Sequence, residues 1–290
     1  MRVTQSMLAG NMLRNLSSSY ENMGTYQDQL ATGKKITRAS QDPVVAMKGM
    51  NYRSQLSGVE QYKRNISEVH NWMDSSDSSM NEATQAMQRV RELTVQASNG
   101  TYEGEQLANI AKEIRQLKEH VGSIANTKVN DKYIFNGTNT TAAPVNMDNA
   151  AFTINQSASP VMIEVSDGVR IQTNVNAGNV FNEDLFNDLE SFANALESGT
   201  DLDEFLGKFD GHINNIVNER ADLGARMNRV ELIEDRLATQ EVSASKLVSD
   251  NEDADIEKVI MDLKTQETIH RAALGAGSRI IQPTLMDFLR

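Results

Sequence analysis

The residues that could carry acid–base or metal chemistry in this chain are four scattered histidines, one of them in a recognisable ligand spacing. Glu267-x-x-His270 has the spacing of a ligand pair in a helical di-iron site, which needs a second such pair and two more carboxylates. The sequence contains no second Glu-x-x-His, and His70, His120 and His212 have no comparable companions. The absence of cysteine also excludes disulfides, thiolate zinc sites and thiol nucleophiles. We therefore predict no catalytic residue, no metal and no cofactor, and an enzyme with a metal in a helical bundle is the weakest functional hypothesis.

Two further motifs are better explained by helix structure than by ligand binding. The acidic run DNEDAD at residues 250–255 lacks the turn glycine and the final glutamate of an EF-hand loop. Clustered acidic side chains instead favour the start of a helix. Residues 275–277 read GAG, but no strand precedes them, so a phosphate-binding loop is not indicated.

The elements that must position these side chains are mainly long helices, the clearest of them between residues 43 and 98. Asp42 before Pro43 predicts its start, and Asn99-Gly100 predicts its end. Its length of 56 residues corresponds to about 84 Å at 1.5 Å per residue, which suits a rod rather than a compact globule. One position of its seven-residue apolar repeat is occupied by Val59, Ile66, Met73, Met80 and Met87.

Two more helices are predicted to cover the apolar stripe of this long helix. Residues 107–124 carry apolar side chains at helical spacing, and residues 202–237 carry one at every seventh position. Asp201 and Glu204 offer a capping box at the start of the second of these helices. Because no single stripe is buried on its own, we predict a helical bundle with coiled-coil-like packing.

A β-rich segment interrupts the helical pattern. Residues 161–175 alternate between apolar and polar side chains on both sides of Asp167-Gly168, which predicts a hairpin. Tyr133-Ile134-Phe135 is expected to open the same region. The fold class predicted is thus mainly α, a long helical bundle rod with a small inserted β-rich domain at residues 131–180.

Apolar stripes also mark both ends of the chain. The stripes at residues 1–40 and 255–290 each need a partner to be buried, and we expect either the other terminus or another subunit to cover them. The helical rod domain then comprises residues 41–130 and 181–254. The residues predicted to form this assembly seam are Leu16, Met23, Leu30, Ile260, Leu274, Ile281, Leu285 and Phe288.

Charge and hydropathy narrow the classes of partner. The net charge of −12 is uneven, being +1 over residues 1–150 and −13 over residues 151–290. No basic stripe is present, so we do not expect a nucleic-acid partner. No run of 18 apolar residues and no cleavable signal sequence is found, so we expect no membrane partner either.

Several motifs in order resemble the bacterial flagellin superfamily. Near the start these are QLATGKKI at residues 29–36, ASQDP at 39–43 and QRVRELTVQ at 88–96. Near the end, RADLGARMNR at residues 220–229 resembles another flagellin element, and the terminal QPTLMDFLR resembles the flagellin tail except at Phe288. The resemblance covers both ends and most helices, and leaves only the β-rich insert uncovered.

Within that superfamily, the opening MRVT, the stretch YIFNGT at residues 133–138 and the insert around 164–181 are most similar to the hook-filament junction branch. This similarity implies a structural adaptor between hook-associated protein 1 and the flagellin filament, needed for filament assembly and motility. Implied partners are hook-associated protein 1, flagellin, neighbouring copies of the chain and a flagellar export chaperone. The implied location is the extracellular flagellum, reached by type III export without a cleavable signal. The resemblance also implies that the terminal helices, at residues 1–40 and 255–290, are disordered before assembly and pair as a coiled coil within the flagellum. The alternative is a flagellin-type filament subunit.

The same resemblance suggests one contact outside the flagellum. Arg89, Leu93 and Glu113 match flagellin positions implied to contact the flagellin-sensing Toll-like receptor. The competing interpretation is that Arg89 and Glu113 bridge two packed helices.

Overall fold

The computed structural model describes residues 5–99, 104–147, 152–154, 159–175, 177–199 and 202–281. Most of these residues lie in helices, and the strands are short and antiparallel. The helices are α1 (Gln5–Thr32), α2 (Pro43–Ser98), α3 (Gly104–Ala125), α4 (Ala177–Val180), α5 (Glu183–Ser198), α6 (Asp203–Glu252) and α7 (Ile256–Ile281). The strands are β1 (Lys128–Val129), β2 (Lys132–Tyr133), β3 (Val145–Asn146), β4 (Thr153–Ile154), β5 (Met162–Ser166) and β6 (Val169–Gln172).

The chain divides into two compact units. The first contains residues 1–58 and 240–290, and the second contains residues 59–239. No helix in the described part of the chain is both long enough and apolar enough to cross a membrane.

Helix α2 has the limits predicted from the sequence. The Asp42 Oδ1 atom accepts hydrogen bonds from the backbone N–H groups of Val44 and Val45 at 2.9 and 3.1 Å. These are two of the donors that a helix start leaves unpaired, and Pro43 needs no partner because it has no N–H group. The helix then continues for 56 residues to Ser98.

The core of the second unit is built on the two predicted heptad repeats. On α2, the repeat positions Ile66, Met73, Met80 and Met87 are fully buried. On α6, the corresponding buried side chains are Phe209, Ile216, Leu223, Val230 and Leu237, all in the same hydrophobic cluster. The helix α6 begins at Asp203, whereas Asp201 of the predicted capping box lies outside the described residues.

Helix α5 was not identified from the sequence. Its start is capped by Asn182, whose Oδ1 accepts the N–H of Leu185 at 2.8 Å, and it ends before Gly199, which has a φ of +67°. It packs against α3, and the ring of Phe192 meets those of Phe205 and Phe209 with centroids 5.3 and 5.4 Å apart. The helix therefore supplies part of the core that covers α3.

The predicted hairpin is formed by β5 and β6. Ile163 pairs with Ile171, and the turn uses Gly168 at a φ of +68°. The hairpin is held to the helices of the second unit by polar contacts. Asn65 on α2 donates to the Glu164 carbonyl at 2.8 Å, and Arg226 on α6 donates to the Asn174 carbonyl at 3.0 Å.

Candidate functional site

The candidate assembly site lies on the two terminal helices, α1 and α7, which pack against each other in the first unit. They run antiparallel, because Met12 near the start of α1 contacts Gly277 near the end of α7 while Ser19 contacts Gln266. The less exposed positions follow the alternating three- and four-residue spacing of a coiled coil. On α1 they are Met12, Leu16, Ser19, Met23 and Tyr26; on α7 they are Val259, Leu263, Gln266, His270, Ala273 and Gly277.

A polar layer interrupts this otherwise apolar seam. The Gln266 side chain donates from Nε2 to the Ser19 hydroxyl at 2.9 Å, and Ser19 is buried. One turn further along α7, the His270 ring lies 6.1 Å from the Tyr20 ring, and its buried Nδ1 has no hydrogen-bond partner among the described residues. Polar layers of this kind fix the register of helix pairs at some cost in stability.

Some of the predicted seam residues lie on the inward side of the helix pair, and others remain exposed. Leu16 and Met23 lie half-buried on the inward side of α1, whereas Leu30, at its end, is 40% exposed. On α7, Ile260 and Leu274 keep 44% and 49% of their surface exposed, so they flank the inward positions and do not occupy them. Leu274 borders an open groove with a volume of about 240 Å³, which is also lined by Met12, Leu13 and Leu16. Ile281 is the last residue of α7, and Leu285 and Phe288 lie outside the described residues.

At one end of the helix pair, the backbone leaving α1 pairs with the break between α6 and α7. Lys34 and Asp253 form an antiparallel bridge. The N–H of Lys35 donates to the Glu252 carbonyl at 2.6 Å, and the N–H of Ala254 donates to the Gly33 carbonyl at 2.8 Å. We call this pairing of residues 33–35 with residues 252–254 the clasp.

The clasp is centred on the buried carboxylate of Glu252. Arg53 on α2 contacts it at 2.5 Å and Lys34 at 3.6 Å, while only 9% of the Glu252 side chain is exposed. The hydrogen bond from Arg53, reinforced by the charge of Lys34, holds the pKa of Glu252 below its usual range although desolvation opposes the shift. The space is provided by Gly49, since a Cβ at this position would lie 2.7 Å from Oε1 of Glu252.

The acidic run at residues 250–255 is thus divided between two roles. Asp253 forms an ion pair with Lys34 at 2.6 Å and accepts a hydrogen bond from Ser249, and both contacts lower its pKa. Asp255 accepts the backbone N–H of Lys258 at 3.1 Å and caps α7, as the sequence predicted for this stretch. Nothing in the local sequence indicates that Glu252 is buried.

The three predicted receptor residues lie between α2 and α3. Nε of Arg89 contacts Oε1 of Glu113 at 2.9 Å, and Nη1 of Arg89 contacts Glu92 at 3.2 Å. This is the geometry of the competing interpretation, a bridge between packed helices. Leu93 is only 2% exposed, so its side chain is part of the core and is not available for a receptor contact. A receptor role for Arg89 and Glu113 stays a prediction.

The remaining histidines pair with carboxylates on neighbouring helices. His70 contacts Glu234 at 3.1 Å, and His212 contacts Asp188 at 2.9 Å. Glu267, the companion of His270 in sequence, forms an ion pair with Lys264 at 3.2 Å. Within the residues that the structure describes, no three His, Asp or Glu side chains are grouped so that they could hold a metal ion.

Full-length similarity to two kinds of curated flagellar protein was found. The chain is 24% identical to flagellar hook-associated protein 3 of Escherichia coli (strain K12), over 95% of this chain and 96% of that protein. It is 28% identical to flagellin of Bacillus subtilis (strain 168), over 94% of each chain.

Solved structures resemble the fold. A putative flagellar hook-associated protein from Vibrio parahaemolyticus matches with a TM-score of 0.69 at 18% identity, over 73% of this chain and 100% of that one. FlgL of Bacillus cereus matches with a TM-score of 0.60 at 25% identity, over 69% of this chain and 99% of that one.

Two family models account for most of the helical sequence. The bacterial flagellin N-terminal helical region matches residues 3–140, and the bacterial flagellin C-terminal helical region matches residues 206–289. Together they cover well over half of the chain and both of its ends. The chain therefore belongs to the bacterial flagellin family, as a structural component of the flagellum that assembles with other flagellar components.

Proposed function

We propose that this chain is the junction subunit that joins the hook-associated zone of the flagellum, formed by hook-associated protein 1, to the first flagellin subunits of the filament. The observation that carries the proposal is the match to hook-associated protein 3 across 95% of this chain and 96% of that protein. The fold match to FlgL of Bacillus cereus at a TM-score of 0.60 supports the same assignment.

The first unit offers a surface suited to such assembly. Apolar side chains remain exposed on both helices of the terminal pair, including Leu13 on α1 and Ile260, Ile269 and Leu274 on α7. Exposed apolar stripes of this extent are stabilised when another subunit covers them. We infer that neighbouring copies, hook-associated protein 1 and flagellin are the partners that do so.

We further infer that the subunit reaches this position by flagellar type III export, delivered by a cytosolic export chaperone. The lack of cysteine is compatible with this route, since the folded subunit then needs no oxidative step after export.

The experiment that tests the proposal is immunogold labelling of flagella with antibodies against this chain. Label confined to one zone at the hook–filament boundary is the expected result, together with a deletion strain that completes its hooks but sheds flagellin monomers into the medium. Label along the whole filament would overturn the junction assignment.

The second candidate is a filament subunit. It is favoured by the 28% identity to Bacillus subtilis flagellin over 94% of both chains. For that function, loss of the chain would shorten or remove the filament without release of another flagellin.

A further inference from the structure

A polar cleft lies in the second unit, where the segment that enters α5 runs beside α6. It has a volume of about 280 Å³ and is open to solvent. The residues that line it are Gly178, Asn179, Asn182, Asn215, Asn218 and Glu219. Four of them carry side-chain amides and one carries a carboxylate, so hydrogen-bond donors and acceptors make up the lining.

Both walls of this cleft are fixed by the core beneath them. On the wall before α5, the two lining asparagines are separated by Val180 and Phe181, which are buried in the hydrophobic cluster. On the α6 wall, Ile216 is buried between the other two asparagines. Because the neighbouring side chains are held in the core, the polar groups are presented on rigid backbone, as a preformed binding site requires.

Hydrogen bonds within the cleft orient part of its lining. The Oδ1 atom of Asn182 accepts the N–H of Leu185 at 2.8 Å, and Nδ2 of Asn179 donates to Oε1 of Glu219 at 2.7 Å. The second bond connects the two walls. Within the part of the chain that the structure describes, the Asn182 amide nitrogen and the second Glu219 oxygen have no other partner, so both remain for a ligand.

The two asparagines on the α6 wall have no use inside the chain. Asn215 and Asn218 lie at exposed positions within the helix, and neither side chain is hydrogen-bonded to another described residue. Asparagine is a poor helix former because its amide competes with the backbone for hydrogen bonds, and alanine would stabilise the helix at both positions. Residues that oppose their local structure in this way are typical of functional sites.

The composition of the lining indicates the chemical class of the ligand. Glu219 is the charged member of the lining and would repel an anion, and the lack of apolar side chains disfavours a lipid. Hydroxyl groups donate and accept hydrogen bonds, as side-chain amides do. The volume lies near the lower limit of small-molecule pockets, about 300 Å³, which suits a ligand of one or two sugar rings.

We propose that this cleft is a binding site for a neutral saccharide. The amides of Asn182, Asn215 and Asn218 bind its hydroxyl groups, and the Glu219 carboxylate accepts hydrogen bonds from two neighbouring hydroxyls. The site belongs to the second unit alone, so it does not depend on the junction role or on the terminal helices.

The test uses the purified full chain and four probes, the methyl glycosides of glucose, galactose, mannose and N-acetylglucosamine, each at about 10 mM. Saturation-transfer difference NMR measures binding. The cleft variant combines Asn215→Ala with Asn218→Ala, and alanine keeps the helix intact. The matched control combines Asn71→Ala with Asn228→Ala, at exposed helical positions outside the cleft. A further variant, Glu219→Gln, removes the carboxylate and keeps the size of the side chain.

At least one glycoside is expected to bind the parent chain with a Kd on the order of 1 mM. The cleft variant should bind it about tenfold more weakly, Glu219→Gln should also weaken it, and the control should match the parent. Circular dichroism of all variants should equal that of the parent. The proposal is overturned if no glycoside binds the parent, if the cleft variant binds as well as the control, or if binding requires added calcium.

Discussion

At the scale of single residues, charged side chains in the described part of the chain connect neighbouring helices. Glu252 unites α2, α6 and the segment after α1, and Arg89 joins α2 to α3. Lys118, buried on α3, reaches Glu190 on α5 at 2.9 Å and lies 4.6 Å from the centroid of the Phe152 ring. Such partly buried pairs have measurable effects when one member is removed, because the other is left desolvated without its partner.

The first prediction concerns the pH dependence of the clasp. The pKa values of Glu252 and Asp253 are lowered in the folded chain, so both carboxylates stabilise it fully above their unfolded pKa values, near 4.5 and 3.8. This stability is lost as the pH falls through the lower folded values. Protection factors of the Lys35 and Ala254 amides, measured by hydrogen exchange between about pH 6 and pH 3, should therefore fall with acidification.

Glu252→Gln is the matched variant for this measurement, since it keeps the size of the side chain and removes its charge. In this variant, the protection factors of the Lys35 and Ala254 amides should be lower at about pH 6 than in the parent chain, and they should decrease less between about pH 6 and pH 3. Equal pH dependence in the parent and in this variant would contradict the role assigned to the carboxylate.

The second prediction separates packing from recognition at the α2–α3 contact. Leu93→Ala should lower the free energy of unfolding by about 3 kcal/mol, because it leaves a cavity in the core. Arg89→Ala should lower the free energy of unfolding far less than Leu93→Ala, because the Arg89–Glu113 pair is largely exposed. Urea denaturation checks both effects.

Receptor activation by the purified Arg89→Ala chain then tests the contact without a change in fold. If that variant signals as strongly as the parent, Arg89 acts only as a bridge between helices.

At the scale of elements, local signals define where the helices begin and end, and close contacts define how they pack. Gly122 on α3 is a clear instance. A Cβ at this position would lie 2.8 Å from both Sδ of Met147 and Cε2 of Phe152, so the absence of a side chain allows the segment around β3 and β4 to approach α3. On helix propensity alone, alanine would be preferred over glycine by about 1 kcal/mol.

The third prediction uses this contrast. Gly122→Ala should destabilise the second unit by about 1–2 kcal/mol, because overpacking outweighs the gain in helix propensity. Gly211→Ala on α6 is the matched control, since no heavy atom lies within 4 Å of its added Cβ, and it should stabilise by up to about 1 kcal/mol. Thermal unfolding of the two variants should shift in opposite directions; a shift in the same direction would contradict the packing argument.

At the scale of the whole molecule, we expect the flagellar role to depend on Leu285 and Phe288, the apolar residues predicted at the C-terminal end of the seam. The fourth prediction is that Leu285→Asp combined with Phe288→Asp leaves the second unit folded and the subunit exported, but prevents it from joining the flagellum. Charged side chains at these positions would need to be desolvated when another apolar surface covers the stripe. Electron microscopy and a swimming assay on a complemented deletion strain provide the measurement.

A control with the same added charge is Gln282→Asp combined with Thr284→Asp, at positions off the predicted stripe. It should restore motility at least partly. Normal filament growth with the variant that combines Leu285→Asp and Phe288→Asp would contradict the assignment of these residues to the assembly seam.

Features that depend on interactions between neighbouring residues could be predicted from the sequence. Asp42-Pro43 sets the start of α2, the heptad repeats of α2 and α6 predict which side chains are buried, and Asp167-Gly168 sets the β5–β6 turn. In each case the deciding interactions are local hydrogen bonds, backbone preferences or the periodicity of one helix. The helical class with a β-rich insert could be predicted for the same reason.

The side of α7 that packs against α1, and the contacts that hold these two helices together, could not be predicted without the folded structure. Ile260 and Leu274 were predicted to lie in the seam because they are apolar, yet both remain exposed. The inward side of α7 includes Gln266 instead, because its side-chain amide donates a hydrogen bond to the Ser19 hydroxyl on α1. The clasp could not be predicted from the sequence either, because Lys34 and Asp253 are 219 residues apart in the chain. A polar side chain is buried only where a partner satisfies it, and that partner is identified by the fold and not by the local sequence.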